Sequence, residues 1–140
     1  MQRVQVCEEL DAPVQRAWAL VQDFGDISAW ARGRVVRVEG TGVGMARHID
    51  GLAGRVVERC ETYNDTEHVF SYRLLESPWP VSNYVGSVRL TANGPNKCVI
   101  EWAATFETDA PDPEAVRKGV ESSFRDGFIP RIRQNLALQV

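Results

Sequence analysis

Long apolar runs are missing from this 140-residue sequence. Every hydrophobic stretch meets a charge within a few residues, which excludes a membrane-spanning helix. The opening stretch, MQRVQVCEELDAP, has no apolar core of the kind a secretion signal needs. Basic residues do not cluster: Lys and Arg number 16 against 19 Asp and Glu, a formal net charge of −3. That balance gives no electrostatic footprint for nucleic acid. Cysteine is scarce, and Cys7, Cys60 and Cys98 are far apart, odd in number and without a CxxC. They read as reduced thiols, mostly buried, in a cytoplasmic protein. His48 and His68 are the only histidines, and neither has Glu or Cys at ligand spacing, so no metal and no cofactor is expected. A GxSxG elbow and a Ser/His/Asp arrangement are absent as well. Gly40-Thr41-Gly42-Val43-Gly44 has the glycines of a phosphate loop, but a strand-like stretch follows where a helix would have to begin. It therefore reads as a hairpin turn.

What is present is an ordinary globular composition, 44% hydrophobic and 25% charged, without repeats or linkers. Residues 1–140 read as one domain, long enough to bury a core without disulfides or metal. Alternation predicts a strand over 2–10. A helix should follow, with Asp11 near its cap, Pro13 in its first turn and Val14, Ala17, Trp18 and Val21 on one stripe. A second short helical turn is expected at 26–30. The period then switches to two, and strands are predicted at 34–39, 44–49, 54–63, 67–76, 81–92 and 97–107, each bounded by turn residues. Short connections favour an antiparallel meander. Asp112 as N-cap and Pro113 at the first helical position open a helix over 113–138. Its stripe is Val116, Val120, Phe124, Phe128, Ile132 and Leu136 at spacing four, with a kink expected at Pro130. The only large partner for that stripe is the concave side of the sheet. A curved sheet wrapped around one helix need not fill the space between them, so an internal cavity is expected.

Alternation also sorts residues into that space. In the strand over 54–63, Val56, Glu58, Cys60 and Thr62 share the inner face. A carboxylate there requires a partner, water or a raised pKa. In the next strand His68, Phe70, Tyr72 and Leu74 share one face and Val69, Ser71, Arg73 and Leu75 the other. In the one after, Tyr84, Gly86, Val88 and Leu90 share the inner face, where Gly86 leaves a gap that suits a bulge or a bound group. In the strand over 97–107 the more apolar face is Ile100, Trp102, Ala104 and Phe106, which would turn Glu101 outward. Trp30 and Trp79 fall in connections, where large aromatics either pack locally or cover something.

The order Ala12-Pro13, Trp18, Asp23-Phe24 and Trp30, then Gly44…Arg47, Glu58-Arg59, Tyr63-Asn64-Asp65, Ser71-Tyr72, Pro80-Val81-Ser82-Asn83-Tyr84 and Glu101-Trp102…Phe106 resembles the START-like, or Bet v 1-like (SRPBCC), superfamily. Within it the chain is similar to bacterial polyketide cyclase/dehydrase-type proteins and, more distantly, to plant abscisic-acid receptors. The resemblance covers nearly the whole chain. It implies an α+β helix-grip fold: a curved antiparallel seven-stranded sheet around a long C-terminal helix, with two short helices after the first strand. In the receptors the positions matching Glu58 and Tyr84 face the cavity, that of Tyr72 forms a wall, and that of Glu101 is a further inward carboxylate. A bulge near 98–101 would reconcile Glu101 with its outward pattern. Residues 50–54 match a gating loop and Trp79-Pro80 a latch. The gate lacks the receptors' proline after Leu52, and Ala31 stands where a ligand-pairing lysine would, so abscisic-acid binding is not implied.

Two functions follow as expectations. In the first, the protein holds a small hydrophobic or aromatic molecule, lipid- or polyketide-like: Phe124, Phe128, Tyr72, Val88 and Leu90 form walls. Glu58 and Tyr84 orient its polar end, with Glu101 as a further polar group, and Trp30, Leu52 and Trp79 form the mouth. In the second, a cyclase or dehydratase uses Glu58 and Tyr84 as acid/base groups. A weaker third reading is an apolar surface for a protein partner. The sequence is as compatible with a homodimer as with a monomer.

Overall fold

The computed structural model describes residues 1–138. The chain runs β1 (Gln2–Leu10), α1 (Val14–Val21), then β2 (Arg34–Glu39), β3 (Ala46–Asp50), β4 (Arg55–Asn64), β5 (Val69–Glu76), β6 (Ser82–Ala92) and β7 (Cys98–Glu107). The C-terminal helix follows in three pieces: α2 (Pro113–Ser122), a π-helical turn over Ser123–Phe128, and α3 (Ile129–Leu138). The strands form one antiparallel sheet in the order β1-β7-β6-β5-β4-β3-β2, so sequence neighbours β1 and β2 lie at opposite edges. The chain between them, including α1, crosses from one edge to the other and packs against β6, β7 and α3. This is the helix-grip arrangement, α+β, with an open sheet wrapped around the terminal helix. Among the described residues no helix is long and apolar enough to cross a membrane.

Two local expectations need correction. Helix α1 starts at Val14 with Pro13 as its N-cap and without a side-chain cap, because the Pro13 carbonyl itself accepts from Arg16 and Ala17. The second short helix is a single turn: the Trp30 and Ala31 amides both donate to the Ile27 carbonyl, and Arg32-Gly33 leads directly into β2.

The terminal helix begins as its sequence dictates, with the Asp112 carboxylate accepting from the Ala115 amide at 3.1 Å. Its interior departs from the spacing-four stripe. Val120 and Phe124 are buried, but the next buried residue is Ile129, then Ile132 and Leu136. The jump of five is the π-helical turn, where the Ile129 amide reaches back to the Phe124 carbonyl. Pro130 follows at once and has no amide to donate, so the ladder is already broken there, and widening one turn accommodates the break. The consequence is positional. Ile129 takes the core place the pattern assigned to Phe128, and Phe128 is released toward the space between helix and sheet. Phe124, Ile129 and Ile132 are each almost wholly buried, worth roughly 1.5–3 kcal/mol apiece, and hold the helix against the sheet.

The gap expected at Gly86 is filled from the neighbouring strand. Tyr72 lies directly opposite Gly86 in the β5–β6 register, and its ring crosses the glycine so closely that a Cβ there would stand 2.5 Å from the phenolic oxygen. The missing side chain is what lets Tyr72 lie flat against β6. Replacing Gly86 with Ala is expected to lower stability by about 1–3 kcal/mol through overpacking, read by urea denaturation. Wild-type stability of Gly86→Ala would show that the ring does not rest there.

Candidate functional site

Between the sheet and the terminal helix lies a cavity of about 470 Å³, within the range typical of small-molecule sites. Its inner part is lined by Trp30, Val56, Glu58, Tyr72, Tyr84 and Phe124, all buried. Phe128, Gly127 and Pro130 of the disrupted helix form a further wall. Trp30, Trp102, Phe124 and Phe128 make one aromatic cluster: Trp30 meets both Trp102 and Phe128 edge-on at 4.9 Å, and Phe124 stacks on Trp102 at 5.7 Å. Such contacts tie the loop after α1, strand β7 and the helix into a stiff wall.

The inner end is polar, and its centre is an ion pair. β3 and β4 form a tight hairpin whose register sets Arg47 opposite Glu58, and both side chains point inward. Arg47 is 1% exposed and Glu58 8%. The Arg47 Nε donates to Glu58 Oε1 at 2.9 Å, and Nη1 donates to the Phe24 carbonyl at 2.9 Å. Nη2 lies 2.8 Å from the same Oε1, an ion-pair distance, but is not aligned to donate a hydrogen bond. The guanidinium also sits over the Phe24 ring at 3.9 Å, a desolvated cation–π contact. Of the three ways to bury Glu58, the protein uses a partner. Arg47 stands behind the carboxylate, so the cavity meets Glu58 rather than the cation.

Beside Glu58 are two phenols. The Trp102 indole donates to the Tyr72 oxygen at 3.1 Å, and Tyr84 lines the cavity beside it. Burial pushes both phenols well above their ordinary 10.0; the negative charge of Glu58 adds to the shift, and at Tyr84 the neighbouring Tyr72 does too. Both therefore stay neutral and act as hydrogen-bonding groups, not as phenolates.

Of the residues the sequence singled out, Trp30, Leu52, Glu58, Tyr72, Trp79, Tyr84, Phe124 and Phe128 line the cavity. They do so at different depths. Leu52, at the tip of the β3–β4 turn, is 81% exposed and Trp79 is 41% exposed, so they stand at the mouth. Trp30 does not; it is 4% exposed and belongs to the inner wall. Val88 and Leu90 are buried in the sheet's inner layer without reaching the cavity, because Val88 sits in register between Phe70 and Trp102. Glu101 faces the other way. It accepts from Gln5 Nε2 at 2.9 Å on the outer face, and the ladders on both sides of β7 run through 98–101 without the bulge that would turn it inward. Alternation describes this strand correctly, and the receptor correspondence does not hold at Glu101. Arg47, named only within the family resemblance, has a role in the site that the sequence reading does not assign. The signal was its sharing a strand face with Ile49, in a hairpin whose centre at 52–53 sets position 47 against 58.

With this geometry established, comparison with known proteins becomes informative. Residues 1–136 match the model of the family described as polyketide cyclase / dehydrase and lipid transport. The chain belongs to this family. No curated protein matches the sequence. Among solved structures, the XoxI protein of Bacillus cereus is similar with a TM-score of 0.86 at 24% identity, covering 100% of this chain and 99% of that one. Norcoclaurine synthase from Thalictrum flavum, in complex with dopamine and hydroxybenzaldehyde, gives a TM-score of 0.75 at 12% identity, covering 99% and 88%. The Zhui aromatase/cyclase from Streptomyces sp. R1128 gives 0.72 at 18%, covering 96% and 92%. At these identities the likenesses show a shared fold alone.

The phenol environment gives a pH prediction. Tyr72 and Tyr84 bind their protons more tightly folded than unfolded, so their contribution to stability is complete below pH 10 and is lost as pH rises above it. Titration of tyrosinate absorbance should find both phenols un-ionised well above pH 10 in the folded protein and ionising when it unfolds. Full tyrosinate absorbance near pH 10 in the folded protein would contradict the buried pair.

Proposed function

We propose that the protein binds a small, mostly hydrophobic molecule in the cavity between sheet and terminal helix, with a hydrogen-bond donor of that molecule held at Glu58. The observation that carries this reading is the cavity itself: aromatic and aliphatic walls ending in one carboxylate and two neutral phenols. A site that is apolar over most of its surface with a few convergent polar groups is what binds and orients a small ligand. Tyr84 would add a second hydrogen bond, and Leu52 and Trp79 would line the way in. Family membership supports the same reading, and three cysteines without disulfides agree with a cytoplasmic setting.

A cyclase or dehydratase reading draws on the same groups. Glu58 would accept a proton from an acidic carbon or hydroxyl, and the neutral Tyr84 phenol would polarise a carbonyl. The specific observation in its favour is that carboxylate and phenol lie together, both buried, at the inner end of one cavity. Incubation with polyketide-like aromatic compounds, followed by mass spectrometry, separates the two: a new product that disappears in Glu58→Gln is turnover, and recovery of unchanged compound is binding alone.

The binding reading is tested with 2-naphthol and 2-methoxynaphthalene, which share a body and differ in the donor. Wild-type protein should bind 2-naphthol the more tightly, and Glu58→Gln should reduce that affinity about tenfold, the scale of a hydrogen bond to a charged group, with little change for the ether. Equal binding of 2-naphthol by wild type and Glu58→Gln would leave Glu58 purely structural. Failure of both compounds, and of any extracted ligand in native mass spectrometry, would remove the reading.

A further inference from the structure

The cavity has a second polar region, at its outer end, that the Glu58 pair does not explain. Arg131 projects from the first turn of α3 and lines the cavity together with Arg32, which follows the Trp30 turn. The Nε of Arg131 is buried and makes no hydrogen bond within the chain. A guanidinium stays charged at every physiological pH and cannot shed the donor it leaves unmatched. A buried donor without an acceptor is costly, and more so when it carries charge.

Asp126, on the same wall, accepts from the Ser122 hydroxyl at 3.0 Å, and among the described residues no carboxylate is ion-paired with Arg131 or with Arg32. Glu8, at the other side of the helix, pairs with Arg133. Glu58, at the inner end, is already neutralised by Arg47. The two ends therefore differ in kind. The inner end presents a matched carboxylate that accepts hydrogen bonds, and the outer end presents cations in excess of the single Asp126.

We infer that the cavity is built for an amphipathic organic acid whose carboxylate is held at the outer end by Arg131, with Arg32 beside it, while its apolar body lies along the aromatic wall. The inference rests on the binding reading above and narrows it: an uncharged lipid or alcohol could accept a hydrogen bond from Arg131 but would leave its charge without a counterion. The planar guanidinium suits a carboxylate, which it can meet with two parallel hydrogen bonds.

The test uses N-phenyl-1-naphthylamine, an uncharged fluorescent probe, as reporter of the cavity, and decanoate and decanol as competitors. A cavity offering only apolar surface would favour decanol, the less hydrated of the two. An acid site predicts the reverse: decanoate should displace the probe at about tenfold lower concentration than decanol, the scale of one hydrogen bond to a charged group. Arg131→Gln should abolish that preference, read as the ratio of decanoate to decanol displacement concentrations measured on the same variant, and Arg131→Lys should keep part of it. If the probe binds but decanoate has no advantage over decanol in the wild type, or if Arg131→Gln keeps the full advantage, the acid site is overturned and the binding reading stands. If the wild type binds neither this probe nor 2-naphthol, 2-methoxynaphthalene or an extracted ligand, both are overturned.

Discussion

One buried ion pair constrains the rest of this structure. Arg47 and Glu58 face each other across the β3–β4 hairpin, inside the sheet, where neither charge is tolerable alone. Burying them together costs desolvation that an apolar pair would not incur, so the pair is poorly explained as a device for stability. What it does achieve is position. The guanidinium is fixed on three sides by Glu58, the Phe24 carbonyl and the Phe24 ring. The carboxylate is thereby held in one place at the inner end of the cavity, with Tyr72 and Tyr84 arranged around its charge.

The hollow above it depends on a second local event, the break in the terminal helix. An uninterrupted α-helix would have set Phe128 on the core stripe with Phe124. The π-helical turn before Pro130 moves Ile129 into that role, and Phe128, Gly127 and Arg131 border the cavity. The same shift that relieves the proline thus shapes the wall and delivers a cation to its edge. Sheet and helix supply the container, and the ion pair and the helix break give its two ends different chemistry.

Much of this was legible in the sequence because it depends on period and punctuation. Alternation sets Glu58, Tyr72 and Tyr84 on one side of the sheet, and turn residues mark each strand to within a few positions. The irregularity between Cys60 and Thr62 ends the pattern in β4 and leaves Thr62 exposed beside Ser71 instead of on the inner face. Glu101 shows the strength of that signal: Ile100 and Trp102 are so strongly apolar that their face has to be the inner one, whatever a distant relative does at that position. What could not be read depends on non-local packing. Tyr72 fills the gap at Gly86 because two strands meet in one register, and the helix changes pitch because a proline's missing amide meets a core that needs Ile129. Arg47 lies between these cases. Its inward face and its partner follow from hairpin arithmetic, but an arginine on a short edge-proximal strand reads most simply as solvated.

The central claim is that Arg47 and Glu58 act as one unit, and a double-mutant cycle in urea measures it directly. Arg47→Met and Glu58→Leu should each cost about 3–5 kcal/mol, since each strands the other's charge in the interior, and the double variant should lose less than either single one. Two losses that simply add, or an Arg47→Met variant as stable as the wild type, would contradict the account.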